Sequence, residues 1–157
     1  VERDGVRSSK DITEVYSYET LVAKPDMKLT VLDSSVPNNR TDIINIAKRN
    51  AAKIGKTDKK TNSISVFVDD VGDSVVIGTK GLQHGLRRNS TLQTDATSFV
   101  TLKAGEIIKN SIRINELKPK NGDVKNTYVL IGAAKNSSGH LFIIESVVNK
   151  FGNELLQ

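Results

Sequence analysis

The residues of this chain best suited to chemistry stand together in Gly78–Asn89, GTKGLQHGLRRN. The stretch holds His84, one of two histidines in the chain, with Lys80, Arg87 and Arg88 and no acidic residue. Histidine side chains titrate near neutrality and can take or give a proton, while lysine and arginine hold phosphate, arginine in bidentate fashion. Such a set suits work on a phosphodiester. Cleaving RNA without a metal requires a group that takes the 2′-hydroxyl proton and another that protonates the leaving 5′-oxygen. Cations must hold the charge that builds on phosphorus. His84 fits either proton-transfer role, with Lys80 and Arg87 beside it as catalytic cations and Arg88 as a phosphate contact. The plainer alternative is a surface helix with ordinary basic residues.

No spacing identifies the partner of His84. The candidates for a second acid or base are Tyr128, His140 and Glu145. His140 follows a glycine at a turn, and Glu145 interrupts an apolar strand. A lone polar residue in such a strand is either outward-facing or a placed functional group.

Other chemistries are excluded by what is missing. The chain has no cysteine, which removes disulfides, thiolate metal sites and cysteine nucleophiles. It has no GxSxG elbow, no GxxxxGK[ST] phosphate loop, no dinucleotide fingerprint and no HExxH. His84 and His140 lie too far apart in sequence for a recognisable zinc motif. No metal and no cofactor is therefore expected. Four Phe, three Tyr and no Trp argue against a protein built to stack bases on aromatic platforms.

The 157 residues carry a formal charge of +5, which permits an anionic partner without demanding one. The distribution says more. Lys48, Arg49, Lys53, Lys56, Lys59 and Lys60 outnumber Asp42 and Asp58 in 41–60. Asp69, Asp70 and Asp73 then precede the cations of the histidine stretch. No apolar run approaches the roughly 18 residues of a membrane span. The opening VERDGVRSSK lacks the apolar core of a signal peptide, so a cytoplasmic location is expected.

Several elements must position these residues. Lys80–Arg88 reads as a short helix with Thr79 as N-cap. Lys80, His84 and Arg87 then share one face, while Leu82 and Leu86 anchor the opposite one. Gly81 and Gly85 weaken the helix by up to ~1 kcal/mol each relative to alanine, and leave a bare flank where a backbone or ligand can approach. Upstream, Met27–Leu32 alternates as a strand. Thr41–Ile54 reads as a helix with Ile43, Ala47 and Ile54 in one stripe and Gly55 as its C′ residue. Its Lys48, Arg49 and Lys53 are expected to point outward, as a solvated basic face or as nucleic-acid contacts.

Lys56–Asn62 reads as a polar loop, and Ile64–Val68 and Ser74–Ile77 as short strands. Asp69, Asp70 and Asp73 mark the tip between those strands and lack the spacing of a calcium loop. After a polar connection over Ser90–Ser98, Val100–Ser111 reads as one helix with a weak point at Gly105. Ile112–Leu117, Thr127–Ala133 and Leu141–Val148, running on to Phe151, form an antiparallel meander. Its turns are Asn121-Gly122 and Asn136–Gly139. The whole predicts an α+β fold, with N-terminal helices packed on a C-terminal antiparallel meander. Residues 1–15 read as a flexible arm and 16–157 as a single domain.

GTKGLQHGLRRN, the helix TLKAGEIIKNS and the following IRINELKPKNGDVKNTYVLIGAAKN…VVNKFGNELL resemble a domain of large polyvalent and phage head-morphogenesis-associated proteins of Firmicutes. KPDMKLTV and the helix over 41–54 fit as well, so the likeness covers most of 16–157. That group is placed with the barnase–EndoU–colicin–RelE-like nucleases, in which helices precede a four-stranded antiparallel sheet. The resemblance implies a metal-independent endoribonuclease or toxin-like domain of a mobile element, delivered with DNA or from cell to cell. His84, with Lys80 and Arg87, matches the histidine helix of the group; no second catalytic residue carries over. Relatives commonly continue with a further strand, whereas this chain stops at Gln157. The resemblance therefore implies an incomplete domain or a last strand supplied from elsewhere. The alternative function is a non-catalytic accessory domain that binds nucleic acid, a protein partner or an inhibitor.

Overall fold

The computed structural model describes residues 28–86, 92–117, 124–151 and 154–156. Along them run β1 (Leu29–Val31), α1 (Arg40–Ala52), β2 (Lys56–Asp58), β3 (Ser63–Val68), β4 (Asp73–Ile77), α2 (Thr79–His84), α3 (Ala96–Leu102) and α4 (Ala104–Lys109). β5 (Ile112–Leu117), β6 (Val124–Lys135), β7 (Leu141–Phe151) and β8 (Glu154–Leu156) follow. The fold is α+β. The expected arm over 1–15, Asn121-Gly122, Arg87 and Arg88 lie outside the described residues.

The meander predicted from apolar alternation is present: β5 pairs antiparallel with β6, and β6 with β7 along nearly their whole length. Gly139 closes the β6–β7 turn with φ +87°, a conformation that glycine adopts at no steric cost. The sheet is larger than the meander. β1 joins β6 in parallel, placing Leu29 opposite Ala133, and β8 joins β7 to β4, antiparallel to the first and parallel to the second. The sheet is therefore eight-stranded and mixed, in the order β1-β6-β7-β8-β4-β3-β2, with β5 also on β6. It is not a four-stranded antiparallel one, and strands precede and follow α1 rather than waiting for the helices to end.

The 56–62 stretch, expected to be a loop, contributes β2, all three residues of which are exposed. An edge strand needs no apolar face, so hydropathy could not mark it.

Helix α1 begins at the Asn39 cap, whose side chain accepts from the Asp42 N–H. Ile43, Ile44, Ala47 and Ala51 are buried as the periodicity requires, but the helix stops at Ala52 and leaves Ile54 37% exposed. Gly55 serves close packing: a Cβ there would lie 2.3 Å from the Ser65 carbonyl oxygen of β3.

The single helix expected over 100–111 is two. α3 starts earlier, at Ala96, with Asp95 accepting from Thr97 N–H, and the break falls at Lys103. Asn50 of α1 donates to the Leu102 carbonyl at 3.0 Å, taking up an acceptor freed at that break. Gly105 lies inside α4, where a Cβ would meet Ala51 Cβ at 2.7 Å.

Candidate functional site

α2 delivers His84. It is shorter than expected, because Gly78 occupies the N-cap and the helix ends at the Gly85 cap. Leu82 and Leu86 are buried as anticipated, which fixes the apolar side of the stretch in the core. His84 and Lys80, one turn apart, are both exposed. Gly85 lets the end of α2 sit close on α3: a Cβ there would come 2.9 Å from Thr101 Oγ1. That contact sets where His84 stands.

His84 borders a groove of about 690 Å³ between α2, α3 and α4 on one side and β7 on the other. The helical wall includes Gly81, His84 and Gly85 of the histidine stretch, with Thr97, Val100 and Ala104 beyond them. The strand wall is Phe142–Val147, six successive residues, Glu145 among them. Of the three candidates for a second acid or base, the fold therefore places only Glu145 in the same groove as His84. Glu145 is half-buried, and its Oε2 is shielded from solvent.

The other two candidates are elsewhere. Tyr128 is buried in the main core, with the Arg113 guanidinium 5.7 Å from its ring centre. Its register partner is Val148, so its side chain leaves the sheet toward the helix-covered core. His140 is exposed at the β6–β7 turn, where its N–H donates to Asn136 Oδ1 at 2.9 Å. Neither lines the groove.

The basic face expected on α1 is only partly there. Arg49 and Lys53 are exposed. Lys48 is 7% exposed, and its Nζ donates to Thr79 Oγ1, so it does not face outward. Thr79, expected to cap α2, instead accepts from Lys48. The spacing of α1 places Lys48 next to the buried Ala47 and four residues after Ile44; the neighbouring α2 then covers what a lone helix would expose.

The aspartates of the β3–β4 tip are spread over different tasks. Asp70 Oδ2 accepts from the Arg113 N–H at 2.6 Å and ties the tip to β5, while Asp73 Oδ1 accepts from Ser74 N–H. Among the described residues no group of three His, Cys, Asp or Glu side chains could hold a metal ion. No helix among them is long and apolar enough to cross a membrane.

Sequence reasoning missed Thr97, Thr101 and Ser146 on the groove walls. Thr97 fell in the stretch read as polar connection over Ser90–Ser98, and Thr101 on the helix expected over Val100–Ser111 but off its buried stripe. Their hydroxyls are engaged locally, Thr97 Oγ1 donating to Asp95 and Thr101 Oγ1 to the Thr97 carbonyl. The described walls carry no lysine or arginine. No protein-family model, no curated protein and no solved structure matches the chain.

Proposed function

We propose that this domain cleaves RNA phosphodiester bonds without a metal, as an endoribonuclease or toxin-like domain of a phage or mobile-element polyvalent protein acting in the cytoplasm. The observation that carries the reading is that His84 and Glu145, 61 residues apart in sequence, border one groove. Its volume, about 690 Å³, accommodates a nucleotide unit.

In this reading the Glu145 carboxylate, which leaves β7 on the sheet face away from the helices and borders the groove at the strand edge, takes the proton of a ribose 2′-hydroxyl, and O2′ forms a bond to phosphorus. The P–O5′ bond breaks, and His84 gives its proton to the departing O5′. The products are a 2′,3′-cyclic phosphate and a free 5′-hydroxyl. Lys80, exposed one turn before His84, holds a neighbouring phosphate, and Arg87 and Arg88 follow in sequence with the same chemistry.

The test is incubation of the domain with tRNA and total RNA in EDTA, beside His84→Ala and Glu145→Gln. Cleavage with cyclic-phosphate ends is expected, reduced ~10²–10⁴-fold in either variant. Intact RNA at high concentrations of a folded domain would overturn the reading, as would full activity in both variants.

A second reading is a non-catalytic module that binds nucleic acid or a protein, and the lack of lysine and arginine on the described walls favours its protein form. A salt-sensitive RNA gel shift without cleavage supports its nucleic-acid form.

A further inference from the structure

The seam between α1 and α2 holds a charge that the groove does not use. Lys48 is 7% exposed, and its Nζ ends at Thr79 Oγ1, on an exposed residue at the start of α2. Its stem therefore lies under the seam while its head reaches the rim. Among the described residues Thr79 is the one hydrogen-bond partner of that side chain, and no carboxylate pairs with it. Asp42, the one acid of α1, stands nearly two turns away, roughly 9 Å along the axis. Gly78–Leu86 carries no acid, and Asp73, at the other end of β4, is roughly 16 Å from Gly78. A cation withdrawn from water is normally met by an anion, and a hydroxyl leaves its charge uncompensated.

The groups at this rim are donors. Lys48 gives one N–H to the Thr79 oxygen and keeps two. With its oxygen so engaged, the Thr79 hydroxyl directs its own proton outward. Lys80, the next residue, is exposed and adds a second ammonium within side-chain reach. A Cβ at Gly78 would meet nothing within 4 Å, so the approach beside Thr79 is open. Neither Lys48 nor Thr79 borders the groove, which makes the rim a separate place. Two ammonium groups and a hydroxyl, converging from different directions, match an anion with several oxygens to share among them. A tetrahedral phosphate has this geometry, whereas a carboxylate offers two oxygens in one plane.

We propose that Lys48, Thr79 and Lys80 form a phosphate-binding seat at the α1–α2 seam, which takes a phosphate monoester or diester. The side chains make the seat, and it does not require cleavage. In the nuclease reading it receives a backbone phosphate next to the one on which His84 acts, since Lys80 and His84 are one turn apart on α2. Lys48 then acts from within the seam rather than from an outward basic face.

The probe is inorganic phosphate, titrated to tens of millimolar into the 15N-labelled chain, with sodium acetate at matched ionic strength as the control. The expected result is amide shifts concentrated at 47–49 and 78–81 and absent with acetate. Lys48→Met should weaken binding about tenfold and Lys80→Met about threefold, whereas Lys135→Met, at the end of β6, should leave it unchanged. Lys80 is exposed, so its variant keeps the fold even if Lys48→Met does not. No shift at 78–81, equal shifts with acetate, or equal weakening by all three variants would overturn the proposal. A short oligouridylate without terminal phosphates distinguishes the source. Shifts at the same amides at lower concentration assign the seat to a nucleic-acid backbone, and shifts with inorganic phosphate alone assign it to a free phosphate group. Phosphate binding in a chain that leaves RNA intact removes the nuclease reading alone, and RNA cleavage without shifts at 78–81 removes this one alone.

Discussion

Lys48 shows how a single side chain changes meaning once its surroundings are known. On α1 alone it belongs to a basic face with Arg49 and Lys53. In the folded chain its Nζ lies against Thr79 Oγ1 at the start of α2. A buried polar group left without a partner costs about 1–3 kcal/mol, whereas replacing both partners by apolar groups of similar shape can be neutral. Thr79→Val is therefore expected to destabilise the chain by about 1–3 kcal/mol, and Lys48→Met combined with Thr79→Val to recover most of that loss. Urea unfolding of the two variants beside the parent checks this. A double variant no more stable than Thr79→Val would mean that the contact has no energetic weight. His84 is the opposite case: its exposure was foreseeable from the helical face, but its groove was not, because half of that groove comes from β7.

At the scale of elements, the helix layer is set by close approach more than by helix propensity. Gly105 reads in sequence as a weak point, and alanine at an exposed helix position would be worth up to ~1 kcal/mol more than glycine. In the fold a Cβ there would lie 2.7 Å from Ala51 Cβ and 3.0 Å from Ala51 Cα. Gly105→Ala is expected to reverse the sign and cost about 1–3 kcal/mol by forcing α1 and α4 apart. Ala51→Gly in the same chain should restore part of the loss, seen as a higher urea midpoint of the double variant. Stabilisation by Gly105→Ala alone would contradict the packing. A similar constraint acts at Gly132 of β6, where a Cβ would meet Ile107 Cγ2 at 2.7 Å, so that α4 lies directly on the central strand.

For the molecule as a whole, β8 is the joint. Three residues connect the β2–β3–β4 part of the sheet to the β5–β6–β7 part, through two register pairs with β4 and three with β7. A chain ending at Phe151 is expected to lose on the order of 2–4 kcal/mol, at roughly 1 kcal/mol per ladder hydrogen bond removed. Amide exchange should accelerate in β4 more than in β6, which keeps β1, β5 and β7 as neighbours. Unchanged exchange in β4 would show that the helices alone hold the two parts together.

The local elements were legible because each carries its own periodic signal. Ile112–Leu117 was read to its observed ends from alternation, the Leu141–Phe151 strand from its apolar run, and the burial of Ile43 and Ala47 from helical spacing, whereas Ile54 of the same stripe lies beyond the helix and is exposed. Leu82 and Leu86 were legible as anchors for the same reason. β2 was not, since an exposed edge strand of Lys56, Thr57 and Asp58 has no apolar face to show. Nor were the parallel pairings of β1 with β6 and β4 with β8, which join residues far apart in sequence and have no turn to announce them. By itself the sequence determined a histidine on a basic, leucine-anchored turn and an apolar meander to receive it. Only the tertiary structure decided that Glu145, rather than Tyr128 or His140, borders the groove with His84, because the register along β6 and β7 and the packing of the helices on them fix which strand residues the groove meets.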